Sequence, residues 1–258
     1  MAEERSSDSA QRVQGTTTEG ATDSAAVARA VRAMFSSIAP RYDLLNHLLS
    51  ANVDKLWWRR VARSFRSVLS RPGVQVLDLC CGTGDMAFAL FRQAPQAHIT
   101  GADFSHPMLK LARGKSPSRL NVAAVVDWVE ADALRLPFAD QTFDLVTSAF
   151  GFRNLADYDA GLREIRRVLR PGGECGILEF SEPPGFVGRV YEVYFRQVLP
   201  RIGSLLSGVR GAYSYLPASV ARFPRAPEML ERMRHSGLRD VAWIPYTFGI
   251  AGLFRGGR

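Results

Sequence analysis

The stretch QVLDLCCGTGDMAF at residues 75–88 carries residue types that could do chemistry. An apolar run ends there on an acid, and a glycine turn then opens a helix-like segment. Gly82, Gly84 and Ala87 have the G-x-G-x-x-A spacing of a dinucleotide-binding turn, and Thr83 lies between the two glycines. Such a turn brings backbone N–H groups and a helix N-terminus close to a nucleotide-like cofactor. We therefore predict a cofactor site around Gly82, Thr83 and Gly84.

The acids beside this turn distinguish two classes of cofactor. Asp85 falls in the first turn of the predicted helix, where the pyrophosphate of NAD would have to lie, and a carboxylate there repels phosphate. S-Adenosylmethionine carries no phosphate and has two cationic groups, an ammonium and a sulfonium. Asp78, at the end of the first predicted strand, can bind the ammonium directly or through water. We predict an S-adenosylmethionine site; the alternative is that both acids belong only to the turn and the helix start.

Two later acids extend this prediction along the chain. Asp103 lies about 20 residues beyond the turn, at the end of the second predicted strand, where a carboxylate binds ribose hydroxyls. Asp132 and Ala133 end the third predicted strand and are expected to face the adenine edge. The three cysteines, Cys80, Cys81 and Cys175, lie in apolar runs without metal-ligand spacing, so we predict free buried thiols and no metal site.

The elements that must position these residues follow an α/β pattern from residue 74 onward. Short apolar runs alternate with amphipathic ones, which predicts a parallel, doubly wound sheet. Two closing runs at 240–247 and 249–256 are joined so tightly that they must be antiparallel. A Pro-Gly-Gly turn is expected before the fifth strand. Strands are predicted at 74–80, 98–104, 125–130, 143–149 and 174–180, and helices at 85–94, 107–114, 158–169 and 227–236.

Composition and charge bound the domain organisation. The 258 residues are 47% hydrophobic and 22% charged, which is typical of a soluble protein with one main core. The formal net charge of +8 suits nucleic acid, an anionic membrane surface or acidic ligands equally well. No apolar run approaches the length of about 18 residues that a membrane-spanning helix needs. We expect a cytoplasmic protein with a disordered tail at residues 1–22 and a single domain at 23–258.

Two segments of that domain fall outside the α/β alternation. A helical preface at 23–70 contains Trp57 and Trp58, which we assign to packing. An apolar, aromatic insertion at 185–217 has arginines interleaved at helical spacing. This pattern is typical of a helix at an anionic membrane interface, and equally of a lid helix whose apolar face is core.

Four stretches resemble the ubiquinone/menaquinone biosynthesis C-methyltransferase family over roughly residues 28–256. They are YDLLNHLLSANVDKLW, AFGFRNLADYDAGLREIRRVL, RVLRPGGECGILEFS and YSYLPASVARFP. The chain departs from the family pattern at Asp54, where a histidine is usual, at Leu45, where methionine is usual, and at Arg170 and Cys175. The resemblance implies a class I methyltransferase fold: a seven-stranded, mostly parallel sheet with an antiparallel last strand, and the cofactor across the carboxyl ends of the central strands.

The resemblance also implies a reaction and its residues. Methylation of a quinol ring carbon requires an in-line approach, and a base or a cation that stabilises the phenolate. Arg153 and Asn154, which follow the fourth strand, are expected to steady that phenolate; the alternative is an ordinary strand-end ion pair and cap. Tyr42, in the preface with Asp43 and His47, is expected to fold over the cleft, although packing explains His47 as well.

The expected substrate is a prenylated quinol, with demethylmenaquinol ahead of a 2-methoxy-6-polyprenyl-benzoquinol. An NAD-dependent oxidoreductase and a non-catalytic cofactor-binding protein are the alternatives from other classes. Nucleic-acid methylation is disfavoured because SEPPG lacks the residues that grip a flipped base. We expect peripheral contact with the inner face of the cytoplasmic membrane, and the sequence leaves a homodimer open.

Overall fold

The structure is a computed structural model that describes residues 53–120, 126–183 and 215–258, together with Gly185 and Gly188. The helices of these residues are α1 (Val53–Ser64), α2 (Arg66–Leu69), α3 (Asp85–Gln93), α4 (His106–Leu120), α5 (Tyr158–Val168), α6 (Tyr215–Arg222) and α7 (Ala226–His235). The strands are β1 (Gln75–Leu79), β2 (His98–Asp103), β3 (Val126–Glu130), β4 (Phe143–Ala149), β5 (Leu169–Phe180), β6 (Arg239–Tyr246) and β7 (Ala251–Gly257). Short 3₁₀ turns occupy Phe152–Asn154 and Thr247–Gly249.

The described strands form one sheet in the order β3-β2-β1-β4-β5-β7-β6. Neighbouring strands from β3 to β5 are parallel, while β7 pairs antiparallel with both β5 and β6. This confirms the predicted seven-stranded, mostly parallel sheet and its antiparallel close. The chain builds outward from β1 to β3 and returns to β4 on the other side of β1. Ligands of open α/β sheets bind where the strand order reverses in this way, outside the carboxyl ends of the strands.

The core lies on both faces of this sheet. Val76 and Leu145 belong to a cluster with α1, α2 and α3, whereas their chain neighbours Leu77 and Val146 belong to a cluster with α5 and α7. Because successive side chains of a strand point to opposite faces, this alternation shows that the central strands are covered on both sides. The continuous apolar runs of the sequence follow from this double burial.

The Pro-Gly-Gly segment differs from its prediction as a turn. β5 begins at Leu169, and the segment forms a bulge within it, because the pairing with β4 moves from Phe143↔Leu169 to Leu145↔Glu174. Gly172 has φ +73° there, a left-handed conformation that favours glycine. Its N–H donates to the carbonyl of Arg258 at 3.2 Å, so the bulge is paired with the end of the chain.

Helix α4 is longer than predicted. It extends to Leu120 rather than to residue 114, although Gly114 and Pro117 weaken the helical pattern of its second half. The other predicted helices and strands agree with the structure to within one or two residues, apart from the early start of β5.

The helical preface is described only from Val53 onward. Trp57 packs as predicted: it is buried, its Nε1 donates to Thr247 Oγ1 at 2.8 Å, and its ring contacts Phe150 and Phe180. The tail at 1–22, the preface before Val53 and most of the insertion lie outside the described residues. Within the described ranges, no helix has the length and apolar character needed to cross a bilayer.

Two glycine substitutions test the backbone at the β5 bulge. A Cβ atom would meet open space at both Gly172 and Gly114, but only Gly172 has a positive φ. We expect Gly172→Ala to lower the free energy of unfolding by about 1 to 2 kcal/mol, because left-handed backbone is unfavourable for alanine. Gly114→Ala, in helix α4, should raise it by about 1 kcal/mol. Urea denaturation of both variants measures the difference; equal effects would contradict the left-handed conformation at Gly172.

Candidate active site

A cleft opens at the carboxyl ends of β1, β2 and β4, where the strand order reverses. About 1100 Å³ of empty space lies within and in front of it, open solvent included, and its described lining includes most of the predicted cofactor residues. These are Asp78, Gly82, Thr83, Asp103, Asp132 and Ala133. Asn154 also lines the cleft, whereas Tyr42 lies outside the described residues.

The glycine turn between β1 and α3 has little freedom to change. Gly84 caps α3 with φ +85°, and a Cβ atom there would collide with the Trp128 ring. Its N–H donates to the Cys81 carbonyl at 2.9 Å. Gly84 therefore packs against Trp128 and does not line the cleft, whereas Gly82 and Thr83 do.

Asp103 fastens this turn to the end of β2. Its Oδ2 accepts the backbone N–H of Gly82 at 2.8 Å, and its Oδ1 accepts that of Ser105 at 2.8 Å. Each carboxylate oxygen can accept a second hydrogen bond. The same side chain can therefore hold the loop and still accept hydrogen bonds from ligand hydroxyls.

Asp78 is fully buried at the end of β1, on the wall of the cleft. Its Oδ1 accepts the Thr147 hydroxyl at 2.9 Å, and its buried Oδ2 has no hydrogen-bond partner among the described residues. Burial raises the pKa of this carboxyl group from 3.8 to about 7, against the lowering effect of the Thr147 hydrogen bond. A buried carboxylate oxygen without a partner is suited to a cation, whose charge would offset the cost of desolvation.

Two other acids lie on the rim. Asp85 begins α3 and forms an ion pair with Lys115 of α4, with Oδ2 and Nζ 3.6 Å apart. The ion pair with Lys115, which could not be foreseen from the spacing of the acids, reduces the repulsion between Asp85 and a phosphate group. Asp132, which also lines the cleft, accepts the Leu134 N–H through its Oδ1 at 2.9 Å in a tight turn.

The described lining contains four acids and no arginine, lysine or histidine. Such a lining favours a cationic ligand and offers no basic side chain for a pyrophosphate. S-Adenosylmethionine fits this site: its ammonium matches the Oδ2 atom of Asp78, and its ribose hydroxyls match the remaining acceptor capacity of Asp103.

Arg153 follows β4 as expected, in the 3₁₀ turn Phe152–Asn154, but it is not among the residues that line the cleft. It is buried, and its Nη1 pairs with Glu179 Oε2 at 2.9 Å. Its backbone N–H donates to Glu179 Oε1 at 3.0 Å and its Nε to Ser219 Oγ of α6 at 3.3 Å. Nη1 also donates to the Phe150 carbonyl. The Arg153 side chain is therefore part of a buried strand-end ion pair, and its role toward an acceptor stays a prediction.

The sequence analysis missed an apolar wall of the cleft. Trp58, assigned to packing alone, also lines it, as do Met108, Leu134 and Phe150. Phe150 stacks on Phe180 with ring centroids 4.4 Å apart. The position of Phe150 directly after β4 could have predicted this contact with the cleft, because the residue that follows a central parallel strand lies at the ligand edge of the sheet.

The cysteines are free thiols, as predicted. Cys81 and Cys175 are buried, and Cys80 is partly buried and lines the cleft. Burial raises the pKa of the Cys175 thiol to about 12 and that of Cys80 well above its usual range. Neither thiol is therefore activated as a nucleophile.

Comparison with known proteins agrees with this site. The model of the ubiE/COQ5 methyltransferase family matches residues 22–258. The chain belongs to the ubiE/COQ5 methyltransferase family. The resemblance seen in the sequence motifs is thereby confirmed, and this ubiE/COQ5 methyltransferase is an S-adenosylmethionine-dependent enzyme.

Relatives of this ubiE/COQ5 methyltransferase cover most of its length. A protein of Thermus thermophilus named demethylmenaquinone methyltransferase is 52% identical over 226 residues, 87% of this chain and 100% of the relative. One of the same name from Deinococcus radiodurans is 50% identical over 229 residues, 88% of this chain and 92% of the relative. A ubiquinone/menaquinone biosynthesis C-methyltransferase of Geobacter sulfurreducens is 46% identical over 231 residues, 88% of this chain and 87% of the relative.

Solved structures share the fold. A SAM-dependent methyltransferase from Thermotoga maritima has a TM-score of 0.55 at 20% identity, with 87% of this chain and 98% of that chain covered. Another from Aquifex aeolicus has a TM-score of 0.54 at 16% identity, with 76% and 88% covered. The predicted class I methyltransferase fold is confirmed, and none of these comparisons supports the NAD-dependent oxidoreductase alternative.

Asp78→Asn tests the cationic site of this ubiE/COQ5 methyltransferase. Ionised Asp78 attracts the ammonium group, so we expect the Kd of S-adenosylmethionine to rise toward tenfold per pH unit as the pH falls below about 7. The Asn variant should bind more weakly above pH 7 and lose this pH dependence. Isothermal calorimetry between about pH 6 and pH 8 measures both effects. Asp127→Asn, on exposed β3 surface, is the matched control.

Asp78→Asn should weaken cofactor binding but stabilise the folded protein. Because the pKa of Asp78 is higher in the folded than in the unfolded protein, the folded state binds the proton more tightly. Stability of the ligand-free protein therefore falls as the pH rises from about 4 to about 7. Asp78→Asn should remove this loss and raise the Tm at neutral pH. A Tm that falls together with cofactor affinity would contradict a site strained by unbalanced charge.

The Arg153–Glu179 pair gives a further prediction. Arg153→Ala leaves the Glu179 carboxylate buried without its counter-ion, so we expect a loss of about 3 to 5 kcal/mol in the free energy of unfolding. The double variant Arg153→Met with Glu179→Gln removes both charges and should recover most of that loss. Chemical denaturation of the single and double variants measures the coupling. Additive effects of the two substitutions would show that the pair is not coupled.

Proposed function

We propose that this methyltransferase transfers a methyl group from S-adenosylmethionine to a ring carbon of a prenylated quinol, with demethylmenaquinol as the substrate. The observation that carries the proposal is the identity of 50% and 52% to two proteins named demethylmenaquinone methyltransferase, over nearly their whole length. The acidic, partly apolar cleft agrees with it, because a sulfonium cofactor and an aromatic acceptor need these two kinds of surface.

In this proposal each predicted cofactor residue has a separate task. Asp78 binds the ammonium group through its unpartnered Oδ2 atom, and Asp103 accepts the ribose hydroxyls. Asp132 and Ala133 face the adenine edge, and the turn at 82–84 lies along the amino-acid part of the ligand. When bound, S-adenosylmethionine supplies an electrophilic methyl group on a sulfonium.

The acceptor side of the cleft is formed by the apolar wall and by Asn154. Trp58 and Phe150 present aromatic surface to the quinol ring and exclude water from the transfer. The Asn154 amide donates a hydrogen bond to a ring oxygen and stabilises the charge that develops when the hydroxyl loses its proton. Tyr42 is proposed to complete this side of the site.

Arg153 acts as a positioning residue in the same proposal. Its contacts with Glu179 and Ser219 hold the 3₁₀ turn Phe152–Asn154, and Tyr158 donates its hydroxyl to the Arg153 carbonyl at 3.0 Å. These bonds fix the backbone that carries Asn154. In this proposal the Asn154 amide, rather than the Arg153 charge, stabilises the phenolate.

A second substrate is favoured by a specific relative. The Geobacter sulfurreducens protein, 46% identical, carries a name that covers both ubiquinone and menaquinone biosynthesis. A 2-methoxy-6-polyprenyl-benzoquinol is therefore the alternative acceptor. Because either acceptor is a lipid, we also propose peripheral contact of the enzyme with the inner face of the cytoplasmic membrane.

Purified enzyme with methyl-labelled S-adenosylmethionine tests the proposal. We expect methylation of reduced demethylmenaquinone and a lower kcat/KM for the benzoquinol. Quinones extracted from cells that lack the protein should contain the demethyl naphthoquinone, as detected by mass spectrometry. Accumulation of the demethyl benzoquinone would favour the second acceptor, and unchanged quinones would refute both.

Asn154→Ala tests the acceptor side separately. We expect kcat to fall by roughly 10²- to 10³-fold, as for loss of a hydrogen-bond donor to a developing oxyanion. The Kd of S-adenosylmethionine should change little, because Asn154 is placed at the acceptor. Gln96→Ala, at a surface amide that bonds the Leu69 carbonyl, is the control. An undiminished kcat would remove Asn154 from the mechanism.

A further inference from the structure

One face of α1 is exposed, basic and interrupted by a single large apolar residue. Leu56, Arg59, Arg60 and Arg63 lie at positions i, i+3, i+4 and i+7, so they share one side of the helix, and all four are exposed. Leu56 is 57% exposed. The opposite side of α1 packs into the core through Trp57.

A second apolar residue is exposed on the turn between β6 and β7. Phe248 is 82% exposed and has φ +57°, after Thr247 with φ +45°. Both residues lie in the left-handed region, which is unfavourable for a side chain with a Cβ atom. The Thr247 hydroxyl accepts Trp57 Nε1, and Ser181 Oγ donates to the Gly249 carbonyl at 2.6 Å. The turn is thus fastened in a strained conformation that holds Phe248 in solvent.

These two features form one surface. The Trp57–Thr247 hydrogen bond joins α1 to the turn, and the Arg60 guanidinium lies over the Tyr246 ring, 4.5 Å from its centroid. Leu56 and Phe248 are the chain neighbours of the two hydrogen-bonded residues. We define the α1–Phe248 face as Leu56, Arg59, Arg60, Arg63 and Phe248.

The turn that carries Phe248 lies at the same edge of the sheet as the cleft. Helix α1 also reaches the cleft, because Trp58, on the side of the helix away from Leu56, lines it. The turn follows the carboxyl end of β6, and β6 runs parallel to β5 because both pair antiparallel with β7. A ligand bound to this face would therefore be close to the entrance used by an acceptor.

We propose that the α1–Phe248 face docks the enzyme onto an anionic membrane surface, with Phe248 and Leu56 at the acyl boundary and the arginines on lipid phosphates. This inference rests on the proposed function, since a prenylated acceptor is held in the bilayer. Side chains of this kind bind interfaces through apolar burial combined with attraction to anionic headgroups. The face has two separate apolar side chains among three arginines. Their apolar area is too small for a stable protein interface, whereas insertion into lipid requires only a few apolar side chains.

Vesicle co-sedimentation of the full chain tests the face. We expect binding to phosphatidylcholine vesicles that contain phosphatidylglycerol, and little binding to phosphatidylcholine alone. The double variant Arg59→Gln with Arg63→Gln should weaken binding roughly fivefold for each charge removed. Arg92→Gln with Arg239→Gln removes the same charge at exposed positions near the other end of the sheet and should bind as the native chain does.

Phe248→Asn tests the apolar contribution without disturbing the fold. Asparagine tolerates the left-handed region, so the Tm should be unchanged or higher. Vesicle binding should weaken roughly tenfold, because most of the buried apolar surface is lost. Leu111→Gln, at an exposed leucine on α4, is the matched control and should keep native binding.

Methylation of a water-soluble demethyl quinol without a prenyl chain separates this inference from the proposed function. All variants of the face should retain activity on that acceptor and lose activity on prenylated acceptor in anionic vesicles. Native vesicle binding by Phe248→Asn and by the double arginine variant would overturn the inference. So would a self-associated native chain that Phe248→Asn converts to monomers, because the face would then be an interface between copies. If no quinol is methylated, the proposed function is refuted. The vesicle measurements then still decide whether the α1–Phe248 face binds an anionic membrane surface.

Discussion

The buried carboxylate of Asp78 is the constraint on which the site depends. It lies at the end of a central strand with one oxygen bonded to Thr147 and the other without a described partner. An ionised carboxylate in this position is unfavourable until a cation approaches it, and the raised pKa expresses that cost. The sheet, the glycine turn and the surrounding helices hold the charge in a place where a cationic ligand offsets its desolvation.

Glu179 is a second buried carboxylate, and its charge is balanced differently from that of Asp78. Both Asp78 and Glu179 are completely buried. Glu179, however, accepts the guanidinium and the backbone N–H of Arg153, so its charge is balanced within the protein. Glu179 thus stabilises the turn that carries Asn154, whereas Asp78 keeps a buried oxygen without a described partner.

Backbone strain is concentrated at the same edge of the sheet. Cys80, Phe150 and Thr247 directly follow β1, β4 and β6, and their φ angles are +55°, +59° and +45°. Residues in this region are unfavourable by roughly 1 to 3 kcal/mol each and persist where the surrounding structure holds them. At Phe150 the stacked Phe180 ring supplies that support, and at Thr247 the Trp57 hydrogen bond does. As a result, Cys80 and Phe150 line the cleft, and the turn at Thr247 leaves Phe248 exposed.

The strands, the glycine turn with its acids and the antiparallel close can all be predicted from the amino-acid sequence, because they follow from apolar periodicity and from spacing within short segments. Asn154 and Asp103 line the cleft, as expected of residues at or after the carboxyl ends of parallel strands, while their roles stay predictions. Three pairings became evident from the three-dimensional structure alone: Arg153 with Glu179 and Ser219, Lys115 with Asp85, and Trp57 with Thr247, 190 residues away. Such partners are distant in the chain, so their pairing depends on the packing of whole elements, which no local pattern of residues encodes.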